Sequence, residues 1–559
     1  MFGSMVKSTG GLTAAISPVL RLSSLVIILA NSTSLLAQNA DNASGNLSQS
    51  TIVGLIVLVL AILMYGVLVF GDRLLQVSIK EVALEKGKPA EEIQKKYSLV
   101  PPLIPRQEKE LRKVITIKKG FDVYIKGRAE KKISELKSAS YAIKPIDFPG
   151  ISPIPKLLVK EGDQVKVGDQ LFFDRHRPDI KYVAPVSGEV VQIVRGEKRK
   201  VEEVIILADK KLEYRDFGKA DPKSMSREAI IEKLIECGTW PFLVQRPYGI
   251  IPNPADEPKM IYISAFNTAP LAPDYDFIMR GQDALFQKGI DVLNQLCAGK
   301  VHIGMNAKKS HASVFTNVQG VTFHWFDGPH PTGNTGIQIH HVDPIKKDEV
   351  VWTIKPQDVL ILGRLFEEGR YNAARVVALA GCEVKTPQYY RTIQGASIEK
   401  MVKDNLLKDH VRYISGDVYT GKRIEANGHI GFSDDLVTVI LEGDQYEMFG
   451  WLLPSYPRPS VSPTFLSYFF QGEELEVNTN MHGEERPFVV TGLYEQLLPV
   501  NTYPLHLFKA ILTEDYEQME GLGIYELLEE DIALCEFACP SKQPLQKIMR
   551  KGLDMVREG

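Results

Sequence analysis

Hydrophobic and polar positions divide the chain into stretches of different character. Residues 52–70, IVGLIVLVLAILMYGVLVF, carry no charge and show no polar face. As a helix they cover about 28 Å, enough for the hydrocarbon core of a bilayer. A shorter apolar run, LSSLVIILA, follows Lys7 and Arg21 and ends in a polar break and SLLAQ. It fits a secretory signal over residues 1–37, cleaved near Ala37. Beyond the long run, residues 74–98 read as a charged helix interrupted near Gly87 and Pro89, and LVPPLIPRQ is a proline-rich spacer. The periods then become those of folded domains. VITIKKGFDVYIKG alternates like a strand; SREAIIEKLIECG puts apolar residues on one helical face between Ser226 as N-cap and Gly238 as stop. MIYISAFN, KVHIGMN and GVTFHWF read as strands, and DALFQKGIDVLNQLCAG as an amphipathic helix.

Helix and strand in alternation over 216–368 imply a Rossmann-like α/β domain with a largely parallel sheet. Over 369–445 the short strands RVVALAG, HVRYISGD and DLVTVILEG surround one helix, SIEKMVKDNLL, a small α+β domain. The tail, 446–559, is largely helical. The expected fold class is thus an α/β multidomain chain with one N-terminal transmembrane helix.

Charge sets sidedness. The linker 38–51 contains no Lys or Arg, whereas 71–113 contains Arg73, Lys80, Lys86, Lys88, Lys95, Lys96, Arg106, Lys109, Arg112 and Lys113. The positive-inside rule puts 38–51 outside, 71–113 inside, and the body on the cytoplasmic side of the membrane. Across 559 residues the net charge is only -3, with 44% hydrophobic and 24% charged residues, so no global field recruits nucleic acid. Five scattered cysteines fit reduced thiols better than a disulfide framework.

Within 114–215, LLVKEGDQVKVGDQLFFD and YVAPVSGEVVQIVRGEKRKV alternate β-branched runs with Gly-Asp and Ser-Gly turns. They resemble the barrel-sandwich domain of biotinyl and lipoyl carriers. In such carriers a Lys occupies the hairpin tip; counting back from Pro185 gives Arg177, which cannot form the carrier amide. The fold is expected without its prosthetic group.

Other motifs stop short of a site. GDVYTGKR, 416–423, matches G-x4-G-K but has Arg423 where Ser or Thr must hold magnesium, so a hairpin turn is expected. There is no G-x-G-x-x-G. The dense glycine loop 328–336, GPHPTGNTG, runs into IQIHHVDP and has no spacing that aims a helix at a pyrophosphate. It is read as a backbone-determined loop, or more sharply as a quinone-contacting or interface loop built on Gly328, His330, Gly333, Gly336, His340 and His341. These histidines lack acidic or cysteine partners at ligand spacing, so no metal site is expected. Cys535 and Cys539 in LCEFACPSK match only the end of a C-x2-C-x2-C-x3-C-P cluster run. No catalytic residue is assigned.

Together, VKEGDQVKVGDQLF, APVSGEV, FDGPHPTGNTGIQIHHVDP, WTIKPQDVLILGRLF, RTIQGAS, GWLLP and LCEFACPSK resemble the NqrA family of Na+-translocating NADH:quinone reductase subunits, from about residue 114 to the end. The resemblance implies a soluble-ligand-binding β-grasp unit in 369–445. It implies a role in the quinol-forming half of a redox reaction coupled to sodium export. NADH and Na+ would be handled by other subunits, and no flavin or iron–sulfur cluster would be bound here. The chief partner would be the membrane subunit carrying covalent flavin at the quinone site, and lipid would be met through the N-terminal span. Members are typically peripheral, so that span departs from the family pattern. A purely structural docking role is the alternative.

Overall fold

The structure, a computed structural model, describes residues 113–445, 458–462 and 472–559, all within one compact unit, Arg112–Gly559. Among the described residues no helix is long and apolar enough to cross a membrane. The signal-like segment, the span at 52–70 and the charged helix after it lie outside them.

The α/β region is built on a six-stranded sheet. Its four sequential strands, Met260–Ser264, Val301–Asn306, Val321–Asp327 and Val351–Thr353, stand in the spatial order third, second, first, fourth, all parallel. Val114–Thr116 adds in parallel beside the third, and Val244–Arg246 antiparallel beside the fourth. Ile261, Ile263, Val301, Ile303 and Met305 alternate onto one face and are buried there. Helices Asp283–Leu296 and Pro356–Glu368 belong to the same core. These two helices approach closely because Gly289 and Gly363 present bare backbone; a Cβ at either would strike the other helix. Helix Thr335–Val342 packs on the opposite face through Ile339, against Met260 and Tyr262.

The barrel-sandwich region pairs a four-stranded sheet (Ser140–Ile143, Val201–Ala208, Gly188–Arg195, Gln164–Val165) with a three-stranded one (Lys156–Leu157, Gln170–Asp174, Arg177–Val183). Phe172 stacks on Tyr182 at 4.7 Å, and Phe148 bridges Tyr182 to Phe432, in the turn before strand Leu436–Leu441 of the next sheet. That sheet runs Lys422–Ile424, Val411–Ser415, Leu436–Leu441, Ala374–Ala380, Gln388–Ile393, and is completed by Glu130–Glu135 from early in the chain. Residues 114–135 therefore strap the α/β sheet to the β-grasp-like sheet. Beyond residue 492, five α-helices and one 3-10 turn enclose a separate core around Phe508, Ile511, Ile532 and Met549.

Local expectations hold where capping chemistry is explicit. Ser226 accepts from the Ala229 amide, and Gly238 adopts φ 67° after the helix Arg227–Glu236. Others are shorter than their patterns suggest. VITIKKGFDVYIKG yields only Val114–Thr116 as a ladder strand, because beyond it the segment turns to meet other partners, Ile125 pairing with Leu475. SIEKMVKDNLL yields only Glu399–Val402, ended by Asp404 at φ 59°.

Candidate functional site

The glycine loop follows strand Val321–Asp327 and leads into an eight-residue helix, Thr335–Val342, so helix does follow this loop. Mixed polarity and short length hid it in the sequence. The loop is locked inside the protein. His330 is 3% exposed; its amide donates to Asp122 at 2.8 Å and its Nδ1 is hydrogen-bonded to Thr268 at 3.1 Å. Its ring stacks on Tyr419, centroids 5.1 Å apart, and Tyr419 packs on Phe537. Nε2 of His330 and the Tyr419 hydroxyl are buried without a partner. Burial pushes the imidazole down to about 3, so it is neutral at physiological pH.

The N-terminus of the helix is equally closed. Asn334 Nδ2 donates to the Glu530 carbonyl at 2.8 Å. Arg246, 2% exposed, pairs with Asp531 at 2.9 Å and with Glu530 beside Gly336, where any Cβ would collide with the guanidinium and the Asp531 carboxylate. The space an anion would take is therefore filled by an ion pair. Gly333 and Gly328 serve the same packing: their Cβ positions fall on the backbone at Thr268 and at Ile117. His340 and His341 sit at the far end of the helix. His340 Nδ1 is 2.5 Å from Glu526 Oε2, and His341 Nδ1 bonds the Ile337 carbonyl at 2.8 Å. The three histidines are not brought together.

Arg177 lies just past the hairpin tip. It donates to the Ile251 carbonyl at 2.5 Å and pairs with buried Asp174 at 3.6 Å, which ties the hairpin to the α/β region. Residues 416–423 join antiparallel strands Val411–Ser415 and Lys422–Ile424 as a hairpin, with Asp417 capping its own turn through the amides of Tyr419 and Thr420. Cys535 and Cys539 are buried and unlinked, and the Cys539 sulfur lies 2.9 Å from the Tyr494 hydroxyl. Among the described residues no group of three or more metal-ligating side chains converges.

A concavity that sequence reasoning missed lies elsewhere. In a sheet ordered third, second, first, fourth, the switch point falls between the first and fourth strands, and ligands of such sheets bind beyond their carboxyl ends. A cavity of about 280 Å³ lies there. Asn267, Pro273 and Tyr275 follow the first strand and Lys355 follows the fourth. Residues 415–422 and 432–436 of the β-grasp-like sheet, with 147–149 of the barrel, complete the walls. Lys355 Nζ donates to the Ser433 carbonyl at 2.7 Å, and Asp434 and Asp435 outweigh its burial to hold it above its ordinary range. Tyr275 donates to Asp435 at 3.0 Å, Ser415 to Asp434 at 2.6 Å, and Lys422 to Asp147 at 3.0 Å. These charges at the junction are all partnered. The lining comes from stretches nearly three hundred residues apart, so no local pattern could reveal it.

Ser140, His429 and Glu203 form a second polar cluster, hydroxyl to imidazole to carboxylate at 3.1 Å each. Buried Lys144 donates to the His429 carbonyl and pairs with Glu203 at 3.5 Å. The cluster sits in the seam between barrel and β-grasp-like sheets, beside the amide of Ser397 bonded to the Ser140 carbonyl. Its geometry is that of a clamp.

Three family models match in chain order: an NqrA N-terminal barrel-sandwich hybrid domain over 115–209, an NqrA second alpha/beta domain over 225–371, and an NQRA C-terminal domain over 376–426. The NqrA subunit of the Na+-translocating NADH-quinone reductase from Yersinia pestis is 36% identical over 449 residues, 80% of this chain and 100% of the relative. The corresponding subunits from Neisseria meningitidis and Vibrio atlanticus are each 35% identical, again over 80% of this chain and their whole length. The chain belongs to the NqrA family of Na+-translocating NADH-quinone reductase subunits.

Proposed function

We propose that this chain acts as the NqrA component of a complex that reduces quinone to quinol with electrons from NADH and exports sodium from the cytoplasm. The observation that carries this reading is similarity along the full length of the relatives, through all three domain models in order. The chain's contribution is to position the later, quinone-reducing half of the reaction. Hydride acceptance and sodium passage belong to other subunits, and the chief partner is the flavin-bearing membrane subunit. The body lies on the cytoplasmic side of the inner membrane and residues 52–70 anchor it there. Buried His330 and the plugged helix N-terminus support an internal interface role for loop 328–336, joining the α/β region to the C-terminal helices.

Solubilised membranes carrying a tagged chain should yield Na+-stimulated NADH:quinone reductase activity along with the tag. Recovery of the chain alone, with activity left behind, would sink the assignment. The second reading, a docking role without quinone contact, is favoured by the closure of that loop. Photo-crosslinking with a quinone analogue separates the two: label on peptides of this chain excludes pure docking, and label confined to neighbouring subunits supports it.

A further inference from the structure

The face of the α/β sheet that carries helix Thr335–Val342 also presents a pair of histidines. His302 and His324 lie on adjacent parallel strands, in the registers His302 to Thr322 and Gly304 to His324. Strand alternation turns both away from the core that takes Val301, Ile303 and Met305. Opposite His324 stands Gly304, whose Cβ position is already claimed by the Gln338 amide oxygen, with the Tyr262 hydroxyl 3.0 Å away. With no side chain beside it there, the His324 ring leans diagonally across the strand gap. His302 Nδ1 and His324 Nε2 come to 2.9 Å, with ring centroids 5.0 Å apart and planes within 17°. Tyr262 flanks both rings at 6.3 Å. Both histidines are half-buried and reached by solvent.

We propose that His302 Nδ1 and His324 Nε2 form a two-imidazole site for a late first-row divalent metal ion, zinc being the redox-inert member of the class. Two nitrogens bound to one tetrahedral zinc at about 2.0–2.1 Å stand about 3.3 Å apart, so the observed pair needs only a few tenths of an ångström of opening. Imidazole donors select zinc, copper or nickel over sodium, magnesium or calcium, which prefer oxygen. Burial lowers the proton affinity of both rings, His324 to about 4, so both are neutral at physiological pH. The proton now shared between the facing nitrogens moves to the other nitrogen of its own ring by tautomerisation, which leaves two lone pairs for the ion. Asp343, bound to Lys259 at 2.8 Å, is the carboxylate whose field acts on His302. The protein supplies two ligands; water, or a donor from a neighbouring subunit, completes the shell. A bound ion would cross-link strands Val301–Asn306 and Val321–Asp327.

The test uses the full-length chain in detergent, carrying a tag without histidine and stripped with chelator. Zinc titrated calorimetrically should bind one ion per chain in the micromolar range. His302→Gln and His324→Gln should each weaken binding roughly tenfold or more, while His340→Gln and His341→Gln leave it unchanged. Zinc should raise the melting temperature of the parent and not of the two variants, since only the native pair binds. No binding at micromolar zinc, or equal affinity in the double variant, overturns the site and leaves a simple imidazole–imidazole hydrogen bond. Should a variant fail to fold, nitrogen NMR of the parent decides: zinc-induced shifts confined to His302 and His324 support the site, and shifts elsewhere refute it.

Discussion

Individual side chains at the loop 328–336 hold domains together, and their chemistry makes that role measurable. His330 is buried neutral, its imidazole pushed down to about 3 against roughly 6.5 in an unfolded chain. The unfolded state therefore binds the extra proton over that interval. Stability contributed by the neutral ring is complete above about pH 6.5 and falls by about 1.4 kcal/mol per unit as pH drops toward 3. His330→Gln should flatten the decline in melting temperature between neutral and mildly acidic pH; an unchanged slope would show that other groups control it. Gly336 makes a complementary point. Gly336→Ala would drive a methyl group into the Arg246–Asp531 pair, and disrupting a buried pair costs about 3–5 kcal/mol. The melting temperature should drop sharply, while Gly281→Ala, a surface glycine with open space around it at φ 74°, incurs only backbone strain.

Elements show what a sequence can and cannot reveal. Helix Arg227–Glu236 was legible because a Ser cap and a Gly stop bracket one apolar face. Three of the four parallel core strands were legible from MIYISAFN, KVHIGMN and GVTFHWF, whereas three-residue Val351–Thr353 is too short to show a pattern. Helix Thr335–Val342 was not, because eight residues with two terminal histidines carry too little period to register. Nor could Val114–Thr116 or Glu130–Glu135 announce their partners: a short edge strand satisfies its backbone with whichever sheet tertiary packing brings near. Arg177 stands out in the sequence only as the residue at the carrier-lysine position, and its work depends on a carbonyl 74 residues away that spacing cannot show. Arg177→Ala should leave the barrel folded and loosen its hairpin, seen as faster amide exchange in 170–183 and near Ile251 with little change elsewhere. Protection unchanged in both segments would mean that the aromatic packing around Tyr182 suffices. The hairpin at 416–423 gives the opposite kind of check. Arg423→Ser completes the phosphate-loop spelling, yet no helix follows to direct its amides at a phosphate, so ATP should not bind in equilibrium dialysis.

At the scale of the whole molecule, the proposed function gives separable roles to the part matching the family and the part preceding it. Relatives align over their entire length to 80% of this chain, and the domain models begin at residue 115. The first described strand, Val114–Thr116, is already woven into the α/β sheet. Family members of this extent are complete proteins, and residues 113–559 should fold independently. On the proposed reading, the apolar run at 52–70 is an addition that changes where the body resides rather than what it is. A chain without charge over that length partitions into lipid far more strongly than a docking surface with partnered charges, and it resists carbonate at high pH, which strips docked proteins. The full chain, expressed without other subunits of the complex, should remain in the carbonate-washed membrane pellet, and residues 113–559 should appear in the supernatant. With the other subunits present, the truncated body should return to the membrane fraction, held by protein contacts that carbonate releases. Full chain in the supernatant would remove the anchor, and truncated body that ignores the other subunits would show that attachment needs the anchor as well as the docking surface.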